Sequence, residues 1–453
     1  MPSLQAYRLR GPVAALLALL VLAASVSAAR AAFLKPESFF LENGMQVVVV
    51  TDSRAPIVTH MVWYRTGSAD EPKAKSGIAH FLEHLMFKGT EKLAPGEFSK
   101  IVAQNGGQDN AFTSYDYTAY FQNVAADKLD LVMGLEADRM RNLRLTEAIV
   151  APELKVVLEE RSQRTDNNPA ALLGEQMNAA QYLNHPYGIP VIGWRHEVEK
   201  LTTADAIAFY NRYYQPANAI LVVVGDVSAD KVRELAEKHY GVIPGGEVPP
   251  RLRPQEPPQI AARRLEYADA RVREPSWQRS YLAPSYTAGE SQHAHALDVL
   301  AEILGGGTSG RLYKELVVKQ GIAAGAGAWY SGDSRDLGRF VVYASPNRGG
   351  NLPGIEAAVD VVLRDIVANG VNEGELSLAK NQLRSDAIYA RDSLSSTARL
   401  LGASLAVGQD IDMIVNWPDE VAKVSAEQVR AAAQYVLDPR QSVTALLLPK
   451  EAS

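Results

Sequence analysis

Apolar residues recur along this chain with two periods, and the change of period separates strands from helices. Residues 45–52 and 57–65 are short apolar runs rich in Val, as expected of strands with little exposure. Residues 115–124 alternate apolar with polar side chains, the pattern of a strand with one wet face. Residues 77–87 are apolar almost all round, which predicts a buried helix rather than a surface one. A β-rich run at 219–227 closes this part of the chain.

The same succession then returns. A strand-like run at 277–282 leads into a helix ending in Gly305-Gly306-Gly307-Thr308, as the first helix ends in Phe87-Lys88-Gly89-Thr90. A last β-rich run lies at 443–448. Between the copies, residues 244–258 are too rich in proline for a helix or a central strand and read as a semi-rigid linker. The expected fold class is α+β: two homologous layered domains, each an antiparallel-rich sheet flanked by helices. The first domain is expected over 32–243 and its copy over 259–453.

Residues 1–31 are set apart. Arg8 and Arg10, an apolar stretch at 11–24 and a small-residue segment up to Ala31 give the layout of a cleaved secretory signal. A bacterial periplasmic or secreted protein is expected, with membrane contact only through that signal. Losing this segment removes three arginines and no acid, so the formal charge moves from −6 to −9. With no basic block anywhere, nucleic-acid binding is excluded. The chain has no cysteine, so a metal would need nitrogen and oxygen ligands.

Such ligands stand on the buried helix. At 100° per residue, His80, Glu83 and His84 fall within an arc of about 100°. Two imidazoles and a carboxylate on a greasy helix are costly to bury unpaired, and a divalent cation removes that cost. His80 and His84 would bind the ion, and Glu83 would take a proton from water beside it. This is the inverted zincin spacing H-x-x-E-H. A third ligand is expected from Pro152-Glu153-Leu154-Lys155-Val156-Val157-Leu158-Glu159-Glu160-Arg161. Glu153 and Glu160, two turns apart, share one face, while Glu159 points about 100° away. Glu160 is the expected ligand and Glu153 the partner that fixes a histidine or a water.

The segment from His80 to Thr90 resembles the metal motif of the pitrilysin and mitochondrial processing peptidase family. The likeness continues through Asn105-Gly106-Gly107, Asn110-Ala111-Phe112-Thr113, His185-Pro186-Tyr187-Gly188, Tyr213-Tyr214-Gln215-Pro216, Gly306-Gly307-Thr308-Ser309 and Arg311-Leu312-Tyr313. The resemblance implies one zinc ion per chain, two homologous domains, and a pair of such units around a closed chamber that cleaves peptides or unfolded segments. It also implies that Asn110 and Ala111 contact the substrate backbone. Independently, the strand at 115–124 could accept an extended peptide as an added strand if it lies at a sheet edge near the metal.

The second half departs from the family. Aligning the two Gly-Thr helix ends places Asp298, Ala301 and Glu302 opposite His80, Glu83 and His84, so the copy holds no such metal site. Where active family members carry an Arg/Tyr pair, this chain has Val317 and Ala324. A homologous partner subunit supplying that pair, in a heterodimer, is therefore expected; a homodimer is the alternative. The rival reading is a non-catalytic scaffold or peptide-binding subunit. His293 and His295 are expected on a solvated helix start, and His185 in a structural role.

Overall fold

The computed structural model describes residues 34–450; the expected export signal lies outside them. Two sheets organise the molecule. The first contains β1 (Glu37–Phe40), β2 (Gln46–Thr51), β3 (Ile57–Tyr64), β4 (Gln108–Thr113), β5 (Thr118–Ala125) and β6 (Ala219–Gly225), in the order β1-β2-β6-β3-β5-β4. The second contains β7 (Arg263–Asp269), β8 (Ser276–Ala283), β9 (Ala323–Ser331), β10 (Gly338–Pro346) and β11 (Ser442–Pro449), in the order β7-β11-β8-β10-β9. Set β1 aside and the two orders coincide. In each, one pair is parallel (β2 with β6, β7 with β11) and the remaining pairs are antiparallel. The α+β duplication read from the sequence is present.

Strand periodicity sends alternate residues into two cores. On β2, Val47 and Val49 enter the main core of the first half, while Val48 faces the opposite way. On β6, Leu221 and Val223 face the main core, and Ile220, Val222 and Val224 face away. Both faces are covered, which explains why β6 (AILVVVG) is apolar throughout.

The cover on that second face comes from the other half. The helix Leu394–Val407 lays Ala398, Leu401, Leu405 and Ala406 on Val48, Met61, Trp63 and Val222. Reciprocally, the helix Pro169–Gln181 of the first half lays Leu173 and Met177 on Val443, Ala445 and Leu447 of β11. Each sheet is thus roofed by a helix borrowed from its counterpart.

Residues 244–262 form no helix or strand, yet they are not loosely held. Arg253 is buried, paired with Asp70 at 2.9 Å, with Asp116, and with Asp336 of the second half at 2.9 Å. Arg251 reaches Asp70 at 3.3 Å and the Ala406 carbonyl at 3.0 Å. A guanidinium shared among three carboxylates welds the linker into the seam between the halves.

One strand reading needs correction. Asn110 and Ala111 lie within β4, which is the sheet edge; β5 starts at Thr118 and is second from the edge. The expected run at 115–124 merged the turn at 114–117 with β5, because Tyr115 and Tyr117 extend the apparent alternation. His293 and His295 also differ from expectation, being half-buried against Tyr435 and Tyr286 respectively.

Candidate metal centre

The helix Ile78–Leu85 follows β3 through the loop 65–77 and buries Ile78, Ala79, Phe81, Leu82 and Leu85 in the main core. Its N-cap, Gly77, has φ +87°, and a Cβ there would stand 2.7 Å from the Ile192 carbonyl oxygen, so only glycine fits. Against it rests Gly193, whose carbonyl accepts Arg161 Nη1 at 2.7 Å. Arg161, buried and paired with Glu175 at 2.7 Å, ends the helix Glu147–Arg161 that carries Glu153 and Glu160. This glycine contact helps to register the two ligand-bearing helices, which also meet directly through His84 and Glu153.

The registration brings the expected side chains together. Glu160 Oε2 lies 3.2 Å from His84 Nε2 and 3.5 Å from His80 Nε2. Ligands each about 2.0–2.1 Å from a tetrahedral zinc ion stand about 3.3–3.4 Å apart, so these spacings fit a shared ion. Glu160 Oε2, the atom that meets both imidazoles, is buried. Among the described residues, this is the only trio of His, Cys, Asp or Glu side chains whose donor atoms converge so closely.

The surrounding groups orient the trio. His84 Nδ1 donates to Glu153 Oε1 at 2.9 Å, leaving Nε2 as the ligand nitrogen. Glu153 in turn pairs with Lys88 at 2.5 Å. Glu159 turns away, accepting from Gln163 at 3.0 Å. Glu83 Oε2 accepts a hydrogen bond from Thr113 Oγ1 at 2.5 Å, which ties that carboxylate to the end of edge strand β4.

In the metal-free site, burial and the neighbouring His84 push His80 down to about 4. Burial also opposes charge on His84, but the Glu153 and Glu160 carboxylates outweigh it and lift His84 to about 9. The hydrogen bond from His84 holds Glu160 below its ordinary range. Burial pushes Glu83 up, with the Thr113 hydroxyl opposing. One imidazole is thus held neutral and the other charged between two carboxylates. A cation entering the site would take over the neutralising role of the His84 proton.

Asn110 and Ala111 are on the edge strand as its register requires, paired with Phe121 and Tyr120. Val317 is half-buried against the second core, and Ala324 is exposed on β9. His185 is buried, with Nε2 3.2 Å from Asp336 across the seam, away from the trio. Three contributors escaped the sequence reading: Thr113 as partner of Glu83, Lys88 as partner of Glu153, and Glu71. Glu71 accepts from the Gly77 and Ala79 amides at the start of the histidine helix. Lys88 lies one helical turn beyond His84, a spacing that could have drawn attention to it. Glu71 and Thr113 carry no such local signal.

Residues 46–194 match the family described as Insulinase (Peptidase family M16), and residues 200–383 match the Peptidase M16 inactive domain. The chain is 35% identical over 421 residues to the zinc protease PqqE of Helicobacter pylori, covering 92% of this chain and 93% of that one. It is 32% identical to an uncharacterised zinc protease of Mycobacterium leprae over 413 residues, 90% of each chain. The crystal structure of a protease from Helicobacter pylori superposes with TM-score 0.86 at 33% identity, over 92% of this chain and 100% of that one. The periplasmic protease PqqL from Escherichia coli shares the fold, with TM-score 0.77 at 18% identity, over 92% of this chain but 48% of that one. With relatives named zinc proteases matched along nearly its whole length and both halves matched in order, the chain belongs to peptidase family M16.

Proposed function

We propose that this chain is a zinc metalloendopeptidase that hydrolyses peptides or unfolded polypeptide segments. The observation that carries the reading is the convergence of His80 Nε2, His84 Nε2 and Glu160 Oε2 at tetrahedral-edge spacing. Held by these three, a zinc ion would supply Lewis acidity toward a peptide carbonyl and water.

The remaining chemistry falls to side chains of the protein. Glu83, whose Oε2 is engaged by Thr113, keeps Oε1 to accept a proton from the attacking water and return it to the leaving amide nitrogen. Glu153 holds the His84 ring in one tautomer. Strand β4, the edge of its sheet, offers main-chain groups around Asn110 and Ala111 to an extended peptide, binding without regard to sequence.

Val317 and Ala324 cannot donate side-chain hydrogen bonds to a developing oxyanion, so a homologous subunit carrying an Arg/Tyr pair completes the site. PqqL, a chain of which this fold occupies 48%, has room for two such units in one polypeptide. The expected location is the periplasm or the exterior. Among the described residues no helix is long and apolar enough to cross a membrane. The same two residues favour a second reading, a non-catalytic peptide-binding subunit.

Cleavage of a quenched peptide, with and without the partner, separates the two. Glu83→Gln retains zinc and loses turnover by about 10²–10⁴-fold, and the partner raises wild-type turnover by about 10²–10³-fold. Undiminished activity of Glu83→Gln would remove Glu83 from its role. A rate that no partner improves would remove the heterodimer.

A further inference from the structure

We propose that Glu71 is a positioning residue for the metal centre: its carboxylate grips the first turn of the histidine helix and so aims His80. The inference rests on the metal reading above and adds a residue to it.

An α-helix leaves its first four N–H groups without intrahelical partners, and a short polar side chain at the N-cap commonly satisfies one of them. The helix Ile78–Leu85 has Gly77 at that position and no side-chain cap. The acceptor comes instead from six residues upstream. Glu71 Oε2 accepts the Gly77 N–H at 3.0 Å, and Oε1 accepts the Ala79 N–H at 2.9 Å. Two oxygens on two amides fix the direction of the first turn as well as its presence.

The two histidines depend on this grip unequally. His84 has its own anchor, because its ring donates to Glu153. His80 Nδ1 has no hydrogen-bond partner among the described residues, so the ring is not tied by a second contact. Its aim is inherited from the backbone, and His80 follows directly on Ala79, in the turn most prone to fray. Glu71 does through the main chain for His80 what Glu153 does through the ring for His84.

The loop between Glu71 and Gly77 is built to hold that grip. Ala74 has φ +62°, the one non-glycine residue in the left-handed region among those described. Such a conformation persists only where its surroundings enforce it. Here Ser76 N donates to Glu197 at 2.9 Å, Trp194 N donates to Ser76 Oγ at 2.9 Å, and Lys75 pairs with Asp205 at 2.8 Å. The loop cannot drift, and the carboxylate at its start is delivered to the helix.

The test uses the full chain, metal-free and reloaded, as wild type, Glu71→Ala and Glu71→Gln. Glutamine keeps the shape but has one acceptor oxygen, so one helix amide then meets an NH₂ group. Zinc affinity is read by chelator competition, ligand geometry by the visible absorption of the cobalt(II)-substituted protein, and folding by the melting temperature of the metal-free chain. Glu71→Ala is expected to weaken zinc binding about 10–100-fold and to shift the cobalt bands, with Glu71→Gln intermediate. Should the alanine variant fail to fold, the glutamine variant decides. The proposal is overturned if both variants bind zinc like wild type. It is also overturned if only the melting temperature moves while the folded fraction keeps wild-type affinity and cobalt bands. A wild type that takes up no zinc would instead defeat the metal reading, and this inference with it.

Discussion

The two halves share a strand order and a buried helix at the same place, but they treat polar groups on that helix in opposite ways. In the first half, His80, His84 and Glu160 turn their ligand atoms toward one another. In the second, Asp298 stands at the position of His80, and Tyr286 and Trp417 donate to it. Burial pushes Asp298 up to about 7. Glu302, at the position of His84, is raised by burial and by the nearby Asp386 carboxylate. A carboxyl that the protein itself satisfies has no need of an ion, whereas converging imidazole and carboxylate donors suit one. A single scaffold position can therefore offer converging ligand atoms in one copy and a closed hydrogen-bonded group in the other, according to what surrounds it.

The comparison can be broken most sharply at the exchanged helices. Gly402 lets the helix Leu394–Val407 approach Trp63 so closely that a Cβ would lie 2.0 Å from the indole. Gly402→Ala is expected to cost about 1–3 kcal/mol or more, read as a lower denaturant midpoint; an unchanged midpoint would mean that the helix is not seated as described. A smaller, pH-dependent effect belongs to Asp298. Its folded-state pKa lies above the ordinary carboxyl value, so its contribution is full below about pH 4 and lost as pH rises through about 7. Asp298→Asn should remove that decline from the stability-versus-pH curve, and an identical slope in both proteins would contradict it. The smallest effect is at Gly174 on the reciprocal helix, where a Cβ meets nothing within 4 Å. Gly174→Ala should stabilise by about 0.5–1 kcal/mol, and a clear loss would show that this face is tighter than its counterpart.

Much of this arrangement was legible in the sequence because it is local. The apolar runs marked β2, β3, β6, β8 and β11, and the seven-residue spacing of Glu153 and Glu160 put both on the face that meets the histidines. The repeated Gly-Thr helix ends revealed the duplication. What escaped depends on distant pairings. Nothing in the amphipathic pattern of residues 394–407 tells which sheet the helix covers. Arg251 and Arg253 sit in a stretch whose prolines suggest a spacer, and only the approach of Asp70, Asp116 and Asp336 turns it into a buried strap. Glu71 and Thr113 gain their roles from loop and strand geometry, with no motif spacing to announce them.

The proposed site needs a distant carboxylate to join two imidazoles around one cation. Zinc content per chain, measured by elemental analysis on folded wild type and folded Glu160→Ala after loading and dialysis, tests this directly. One zinc per chain in the wild type and close to none in the variant is the predicted result. A wild type without zinc, or a variant that keeps a full equivalent, would contradict it.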